Sequence, residues 1–367
     1  MATIVENLGT ELERLDKEYA DHFAGQSRLS RDVDQIDRMI EKVAGIVAQV
    51  DKIPAAAQGP ELARLREAAA TNLNLYKNER VAIVRAQEVG PQFEAFSMEA
   101  TSANLAFGRY ARHYAGQNRT TRDAALLGEL VEELKRIEKR MTQLLNETKS
   151  PELERDRKVV RDNLEQYQKE IKLIVDAQKA GTAEEQASAL ALLANAQFAI
   201  YQGHFAGEPR ISRRPALLMR VVSSLKDIHK RMGALRDAGL TIEFNANNMK
   251  IVEDRLATYE TELGEVRKVR QGTSFVDIMG ELGGAANKLF DDYRKGFADK
   301  PRNQADLEKL GLLCDKLGEI RQQMIEMSRA EDNEMNSKNL DIVTEQLVMF
   351  ESEYEQVQAS KAQNKSA

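Results

Sequence analysis

The sequence contains no tryptophan and only one cysteine, Cys314, among its 367 residues. A single cysteine excludes an intrachain disulfide framework and any metal site built from several thiolates. Long apolar runs are also missing, because no stretch approaches the roughly 18 unbroken apolar residues of a membrane-spanning helix. The first residues include acidic side chains, so we expect neither a secretory signal nor a transit peptide.

The net charge is −6, from 53 basic and 59 acidic residues. This balance argues against bulk electrostatic binding to nucleic acid or to an anionic membrane. Hydrophobic residues make up 42% of the chain, which is too large a fraction for a disordered protein. We therefore expect a soluble, cytoplasmic, helix-rich protein without membrane insertion.

One motif, rich in tyrosine, histidine and arginine, occurs four times. Its copies read YADHFAGQSRLSR, YARHYAGQNRTTR, YQGHFAGEPRISR and YRKGFADKPRNQA. They begin at Tyr19, Tyr110, Tyr201 and Tyr293, so the spacing is 91, 91 and 92 residues. Such regular spacing indicates an internal repeat of about 91 residues. Each copy is named the Tyr-His-Arg motif below.

Three helices are predicted in each repeat, named helix A, helix B and helix C in chain order. Helix A leads into the motif. Helix B follows it and carries apolar residues at steps of three and four for about three heptads, as in Leu127, Leu130, Leu134 and Ile137. Helix C contains the pattern Leu-x-x-aromatic-x-x-Glu, which ends at Glu79, Glu170, Glu262 and Glu353. No segment alternates with the period of a strand, so twelve helices and no sheet are expected.

These patterns predict an all-α fold of four tandem three-helix repeats that form an elongated helical-bundle array. The predicted repeats cover residues 1–90, 91–181, 182–272 and 273–354, and a polar tail, expected to fray, covers 355–367. The plan resembles that of spectrin-type repeats, which also join three-helix units of heptad pattern in tandem. Unlike those repeats, this chain has no tryptophan, and Gly90-Pro91, Gly181 and Gly272 interrupt the junctions between units.

The first and last repeats differ from the middle two. Glu13 and Asp16 give the opening helix a more polar face. The last repeat has Gly296 and Ala305 where the others have histidine and arginine. Repeat arrays need polar outer faces on their end units to remain soluble. The differences therefore predict a finite array with polar ends.

Enzyme motifs are absent from the sequence, which has no P-loop, no glycine-rich dinucleotide fingerprint, no HExxH and no GxSxG. Cys314 falls in a predicted helix B without a recurring histidine nearby, so inert packing is the favoured interpretation of this thiol. We expect no catalytic residue, no cofactor and no metal site, and hence a protein that is not an enzyme.

The arginines and histidines of the motif are the candidate binding residues for a partner or an anion. They are Arg28, Arg31, Arg119, Arg122, Arg210, Arg213, Arg302, His22, His113 and His204. In one interpretation, each guanidinium binds the last carbonyls of helix A, or a carboxylate of helix C or of the next repeat, and fixes the angle between helices. In the other, the arginines form a ladder of sites for carboxylates or phosphates of a partner, which arginine binds bidentately. For the histidines, bonding to the loop is favoured over a pH-sensing or metal-binding role.

Extended repeat arrays expose long surfaces, which suits partner binding better than catalysis. The sequence therefore predicts a scaffold or adaptor that binds protein partners through its repeated faces, either several copies of one partner or one elongated partner. Two alternatives stay open. One is an anion- or nucleic-acid-binding protein that uses the arginine ladder, and the other is a structural rod that assembles by homo-oligomerisation.

Overall fold

The computed structural model describes residues 2–23, 26–53, 59–148, 151–240, 243–298, 302–331 and 333–366. These residues form twelve α-helices and no β-strand, as the sequence predicts. The helices are α1 (Ala2–His22), α2 (Val33–Asp51), α3 (Pro60–Val89), α4 (Pro91–Tyr114), α5 (Ala124–Thr148), α6 (Pro151–Lys179), α7 (Ala183–His204), α8 (Pro215–Asp237), α9 (Glu243–Gln271), α10 (Phe275–Tyr293), α11 (Leu307–Ala330) and α12 (Glu334–Ser366). None of the described helices is both long enough and apolar enough to cross a membrane.

Local sequence signals explain where the helices begin and end. The side chain of Asp32 accepts hydrogen bonds from two backbone N–H groups in the first turn of α2. Thr182 and Glu185 form a reciprocal capping box at the start of α7. Gly90, whose φ is 92°, ends α3 in a left-handed conformation that favours glycine, and α4 begins at the next residue. Capping side chains and a glycine therefore mark these helix boundaries.

Each of four hydrophobic cores is formed by three consecutive helices. The cores join α1–α3, α4–α6, α7–α9 and α10–α12, which are named the first, second, third and fourth helix groups. The apolar stripe predicted for helix B is buried in its own core in every group. In the second group it comprises Leu127, Leu130, Leu134, Ile137, Met141 and Leu144, all at most 5% exposed. Burial of these stripes is the main hydrophobic contribution to the fold.

The last helix continues through the predicted polar tail. α12 ends at Ser366 rather than near Tyr354, and Val357 is fully buried in the fourth core. Val357 follows the buried Phe350 by seven residues, which places both side chains on one face of the helix. The expectation of a frayed tail is therefore wrong, because the chain is helical up to Ser366.

The fourth helix group contacts all three others. α11 packs on α7, and α12 packs on α4. Ion pairs from Arg31 to Glu345 and from Arg302 to Glu67 join the first and fourth groups. In an elongated array each unit contacts only its neighbours along the chain. The expectation of an elongated array is therefore wrong, because the fourth group folds back onto the first and second.

The polar face of the fourth group lies inside the structure. In addition to its apolar stripe, α11 buries Arg321, Gln322 and Gln323. The Arg321 guanidinium donates a hydrogen bond to Ser102 of α4, and the Gln323 amide donates one to the Ser212 carbonyl just before α8. The polar end predicted for the last repeat is therefore a contact surface between helix groups rather than an outer face.

Candidate functional site

In each helix group the motif tyrosine stacks on an aromatic residue of the third helix. The ring-centroid distances are 5.1 Å for Tyr19–Tyr76, 4.0 Å for Tyr110–Tyr167, 3.8 Å for Tyr201–Tyr259 and 4.3 Å for Tyr293–Phe350. The third-helix ring is buried in every case. This stack brings the loop that follows the tyrosine next to the glutamate that lies three residues after the third-helix ring.

The first arginine of the motif binds that glutamate in all four helix groups. Its guanidinium donates two hydrogen bonds to the carboxylate, which is the bidentate arrangement of the strongest arginine–carboxylate pairs. The pairs and their two bond lengths are Arg28–Glu79 (2.9 and 3.0 Å), Arg119–Glu170 (2.8 and 2.9 Å), Arg210–Glu262 (3.0 and 2.9 Å) and Arg302–Glu353 (3.1 and 3.1 Å). Each pair is named the Arg-Glu clamp.

The second arginine reinforces the clamp in three helix groups. It donates to the same glutamate carboxylate and also to the backbone carbonyl five residues before it. These arginines and their carbonyl acceptors are Arg31 with Gln26, Arg122 with Gln117, and Arg213 with Glu208. The fourth group has the buried Ala305 at this position. There Arg302 binds the clamp glutamate, and it also pairs with Glu67 of the first group.

The third helix also holds the backbone of the motif loop. The side-chain amide of Gln87 donates a hydrogen bond of 2.8 Å to the carbonyl of Arg31, and that of Gln178 donates one of 2.7 Å to the carbonyl of Arg122. In the third group Arg270 takes this role and donates to the carbonyl of Ile211. The loop is thus fixed through both its side chains and its main chain.

In the first three helix groups the clamps lower the pKa of their carboxyls. Burial by itself raises the pKa of Glu79, but the hydrogen bond and charge of Arg28, together with the charge of Arg31, lower it below the ordinary value. For Glu170 and Glu262 the hydrogen bond from the first arginine is the largest influence, and it lowers the pKa of both carboxyls. A carboxyl pKa below its unfolded value means that the ion pair stabilises the fold at neutral pH.

This geometry favours the clasp interpretation of the motif arginines over the ladder. Because each of them already binds a carboxylate, a partner anion would have to displace a glutamate of the same chain. The partner of the arginines is visible in the sequence, since a glutamate follows the helix C aromatic by three residues in every repeat. The repeat pattern alone did not show that the motif arginine and the helix C glutamate contact each other.

The three motif histidines lie in different surroundings: His113 and His204 line one cavity, and His22 lies apart from it. His22 is exposed at the end of α1. The Nε2 atom of His113 lies 3.2 Å from Asp315 of the fourth helix group. His204 is partly buried, and burial lowers the pKa of its imidazole. The expectation that these histidines bond to their own loop is wrong for His113, whose partner belongs to another helix group.

A second set of charged residues lies where the second, third and fourth helix groups meet. This set, named the three-group junction, comprises Arg109, Arg112, His113, Glu133, His204, Arg214, Arg220, Asp315, Glu319 and Glu351. Arg112 binds both Asp315, at 2.9 Å, and Glu351. Arg214 binds Glu319 at 2.8 Å. Sequence analysis missed these pairs because their members come from different helix groups, as with Arg112 and Asp315, which are 203 positions apart.

The junction encloses a cavity of about 60 Å³. Most junction residues line it, together with Cys314 and apolar side chains that include Leu105 and Ile200. Within the described part of the chain, the Nε atoms of Arg112 and Arg220 are buried without a hydrogen-bond acceptor. Cys314 is 1% exposed, and burial raises the pKa of its thiol, so the thiol is unreactive in this conformation.

The described residues contain no group of three or more His, Cys, Asp or Glu side chains arranged to hold a metal ion. Comparisons with protein-family models, with curated proteins and with solved structures find no match to this chain.

We expect Glu319 to make the fold sensitive to acid. Burial by itself raises the pKa of this carboxyl, but Arg214 and the other junction cations lower it from 4.5 to about 2. Stability that depends on a lowered carboxyl pKa is present above the ordinary value and is lost as the pH falls through the folded value. As the pH is lowered from about 7 to about 3, the melting temperature should therefore fall more steeply for the wild type than for Glu319→Gln.

Glu308, exposed on the same helix, supplies a control, and Glu308→Gln should keep the wild-type profile. Parallel profiles for all three proteins would contradict this assignment.

Proposed function

We propose that this protein is a non-enzymatic, cytoplasmic scaffold or adaptor made of four tandem three-helix repeats. In this proposal the outward faces of the repeats bind protein partners, and the Tyr-His-Arg motifs hold those faces in place. The clamps support the structural half of the proposal, because they recur at the same place in all four helix groups.

The observation that carries the binding half is a pair of exposed apolar side chains at equivalent positions. Val159 on α6 is 47% exposed, and Ile251 on α9 is 49% exposed. Each precedes its stacked, buried tyrosine, Tyr167 or Tyr259, by eight residues. A single exposed apolar residue needs no explanation. A β-branched apolar residue at the same place in two consecutive helix groups is what a partner with repeated contacts would use, and two weak contacts then add avidity.

Partner capture from a lysate of the source cells tests this proposal. Three tagged proteins are compared by mass spectrometry: the wild type, the double variant Val159→Glu/Ile251→Glu, and the control Val81→Glu/Leu192→Glu. Val81 and Leu192 are also exposed, at 60% and 56%, but do not occupy equivalent positions. All three proteins carry folded helices by circular dichroism if the substitutions act only at the surface.

The proposal expects a protein that the wild type and the control retain and that the Val159→Glu/Ile251→Glu variant loses by at least tenfold. It also expects this binding to depend only weakly on salt, unlike the binding of nucleic acid through arginines. Equal recovery of every protein by all three baits would show that these faces do not bind the partner. A defined small-molecule turnover by the purified protein would contradict the non-enzymatic part.

A further inference from the structure

We propose that the second and third helix groups carry a basic face that binds an acidic helix of a protein partner, and that α11 occupies this face in the present conformation. This inference rests on the proposed scaffold function and names one partner-binding surface and its regulation. The fourth helix group then acts as an internal competitor for that surface.

The face is formed by cations of three helices or their ends. Arg109, Arg112 and His113 come from α4, and His204 comes from the end of α7. Arg214 precedes α8, and Arg220 lies in its second turn. The side chains of Arg112, Arg214 and Arg220 are 6%, 10% and 8% exposed, so they are covered while the fourth group is in place.

The helix that covers this face presents carboxylates to it in one stripe. Asp315, Glu319 and Glu326 follow one another at steps of four and seven residues, which places them on the same side of α11. Asp315 binds Arg112 at 2.9 Å. Glu319 and Glu326 both bind Arg214, at 2.8 and 2.6 Å. The charge of the face is therefore complementary to that of an acidic helix.

Ion pairs and hydrogen bonds join the fourth group to this face, as in Arg112–Asp315 and Arg214–Glu319. α11 keeps its apolar stripe in the core of its own group, and Leu105 and Ile211 are the side chains of the second and third groups that pack against that core. Interfaces between units of one chain commonly resemble transient interfaces, so relative motion of the units is the default expectation. The fourth group can thus leave the face without opening its own core.

A protein helix fits this face better than nucleic acid does. Two carboxylates, Glu129 and Glu133, lie among the cations, and they pair with Arg220 and Arg109 respectively. These acids would repel phosphates, and the whole chain has a net charge of −6. An acidic helix can pair its carboxylates with the arginines of the face, as α11 does with Arg112 and Arg214.

Two glycines allow the fourth group to approach closely, and they supply a way to open the face. A Cβ atom on Gly203 of α7 would lie 3.1 Å from the Cδ1 atom of Leu312 in α11. A Cβ atom on Gly108 of α4 would lie 3.2 Å from a carboxylate oxygen of Glu351 in α12. Leucine at both positions would push the fourth group away, and it would also favour the helical conformation of α4 and α7 relative to glycine.

The test compares the full-length wild type with the wedge variant Gly108→Leu/Gly203→Leu and the control Gly128→Leu/Gly264→Leu. Gly128 and Gly264 also lie within helices, but a Cβ atom at either meets nothing within 4 Å. Opening is measured by the alkylation rate of Cys314, the only cysteine of the chain. Binding is measured by fluorescence anisotropy with a labelled peptide of the α11 sequence, Leu307–Ala330, in which Leu310, Leu317 and Met324 are replaced by alanine to keep it soluble.

The expected result is an alkylation rate at least tenfold higher in the wedge variant than in the wild type or the control. The α11 peptide should bind the wedge variant at least tenfold more tightly, and the peptide with Asp315→Lys and Glu319→Lys should not bind. An unchanged alkylation rate together with no gain in binding of the α11 peptide would show that the fourth group is not a separable unit. Faster alkylation without peptide binding, or equal binding of the charge-reversed peptide or of a labelled DNA oligonucleotide, would overturn the assignment of the face.

If circular dichroism shows that the wedge variant is not folded, the variant Glu326→Lys is used in its place. This substitution reverses one charge at the partly exposed edge of the contact. This test does not depend on the residues used for the proposed function. If Val159 and Ile251 prove not to bind a partner, the result of the peptide-binding test is unaffected. If the peptide-binding test fails, the outward faces remain the proposed binding surface.

Discussion

The variant Arg28→Glu/Arg119→Glu/Arg210→Glu/Arg302→Glu should melt roughly 6 °C below the wild type. Each substitution removes a bidentate ion pair and places a second carboxylate beside the clamp glutamate. A hydrogen bond to a charged group contributes about 1.5–3 kcal/mol when it is buried and less when it is exposed. Arg119 and Arg210 are about half exposed, so their pairs contribute at the low end. Distant sites add, and the total loss is on the order of 5 kcal/mol.

A control with the same change in net charge separates the loss of the clamps from a general effect of charge. Arg64, Arg155, Arg236 and Arg329 provide one exposed arginine in each helix group. The variant with all four changed to glutamate should melt within a few degrees of the wild type, because surface substitutions usually change the free energy of unfolding by less than about 0.5 kcal/mol each. Equal melting temperatures of the two fourfold variants would contradict the structural role of the motif arginines.

Replacing one stacked aromatic residue of a third helix should destabilise its helix group more than replacing one motif arginine does. Tyr167 is 3% exposed, and its ring lies 4.0 Å from that of Tyr110. Tyr167→Ala removes a buried ring and leaves a cavity, which costs about 3–5 kcal/mol in the free energy of unfolding. Chemical denaturation followed by circular dichroism measures this loss. Its absence would mean that the stack does not hold the motif loop in place.

The hydroxyl groups of these tyrosines supply a finer comparison. The Tyr259 hydroxyl is buried without a hydrogen-bond partner among the described residues, and the fourth group has Phe350 at the same position. Tyr259→Phe should therefore be neutral or slightly stabilising. The Tyr76 hydroxyl donates a hydrogen bond of 3.0 Å to Asp16, so Tyr76→Phe should cost about 1 kcal/mol. Equal effects of the two substitutions would contradict this difference in bonding.

The sequence predicted what depends on local periodicity. The apolar stripe of helix B, such as Leu218 and Leu225 in the third group, repeats every three or four residues and is buried as expected. The recurrence of the motif at a fixed spacing also identified the arginines that the structure places in the clamps. Both signals arise within one repeat, where chain neighbours and helical geometry limit the choice of contacts.

The contacts between helix groups could not be predicted in the same way. Arg31 pairs with Glu345, 314 positions away, and no pattern within one repeat connects them. Gly296 and Ala305 in the last repeat suggested an end unit with a polar outer face. Burial of the polar side of α11 depends on partners in other helix groups, which the repeat pattern does not specify. Asp315 and Glu319 are acceptable inside the protein because Arg112 and Arg214 neutralise them.

A double-mutant cycle on Arg122 and Glu170 tests the central claim, that the motif arginines are clamps within the chain, most directly. The side chains of this pair are 13% and 9% exposed. Free energies of unfolding would be measured for the wild type, Arg122→Gln, Glu170→Gln and the double variant. A clamp predicts a coupling energy of about 1–3 kcal/mol between the two positions. A coupling energy within error of zero would mean that Arg122 stabilises the fold without its contact to Glu170. That result would contradict the claim.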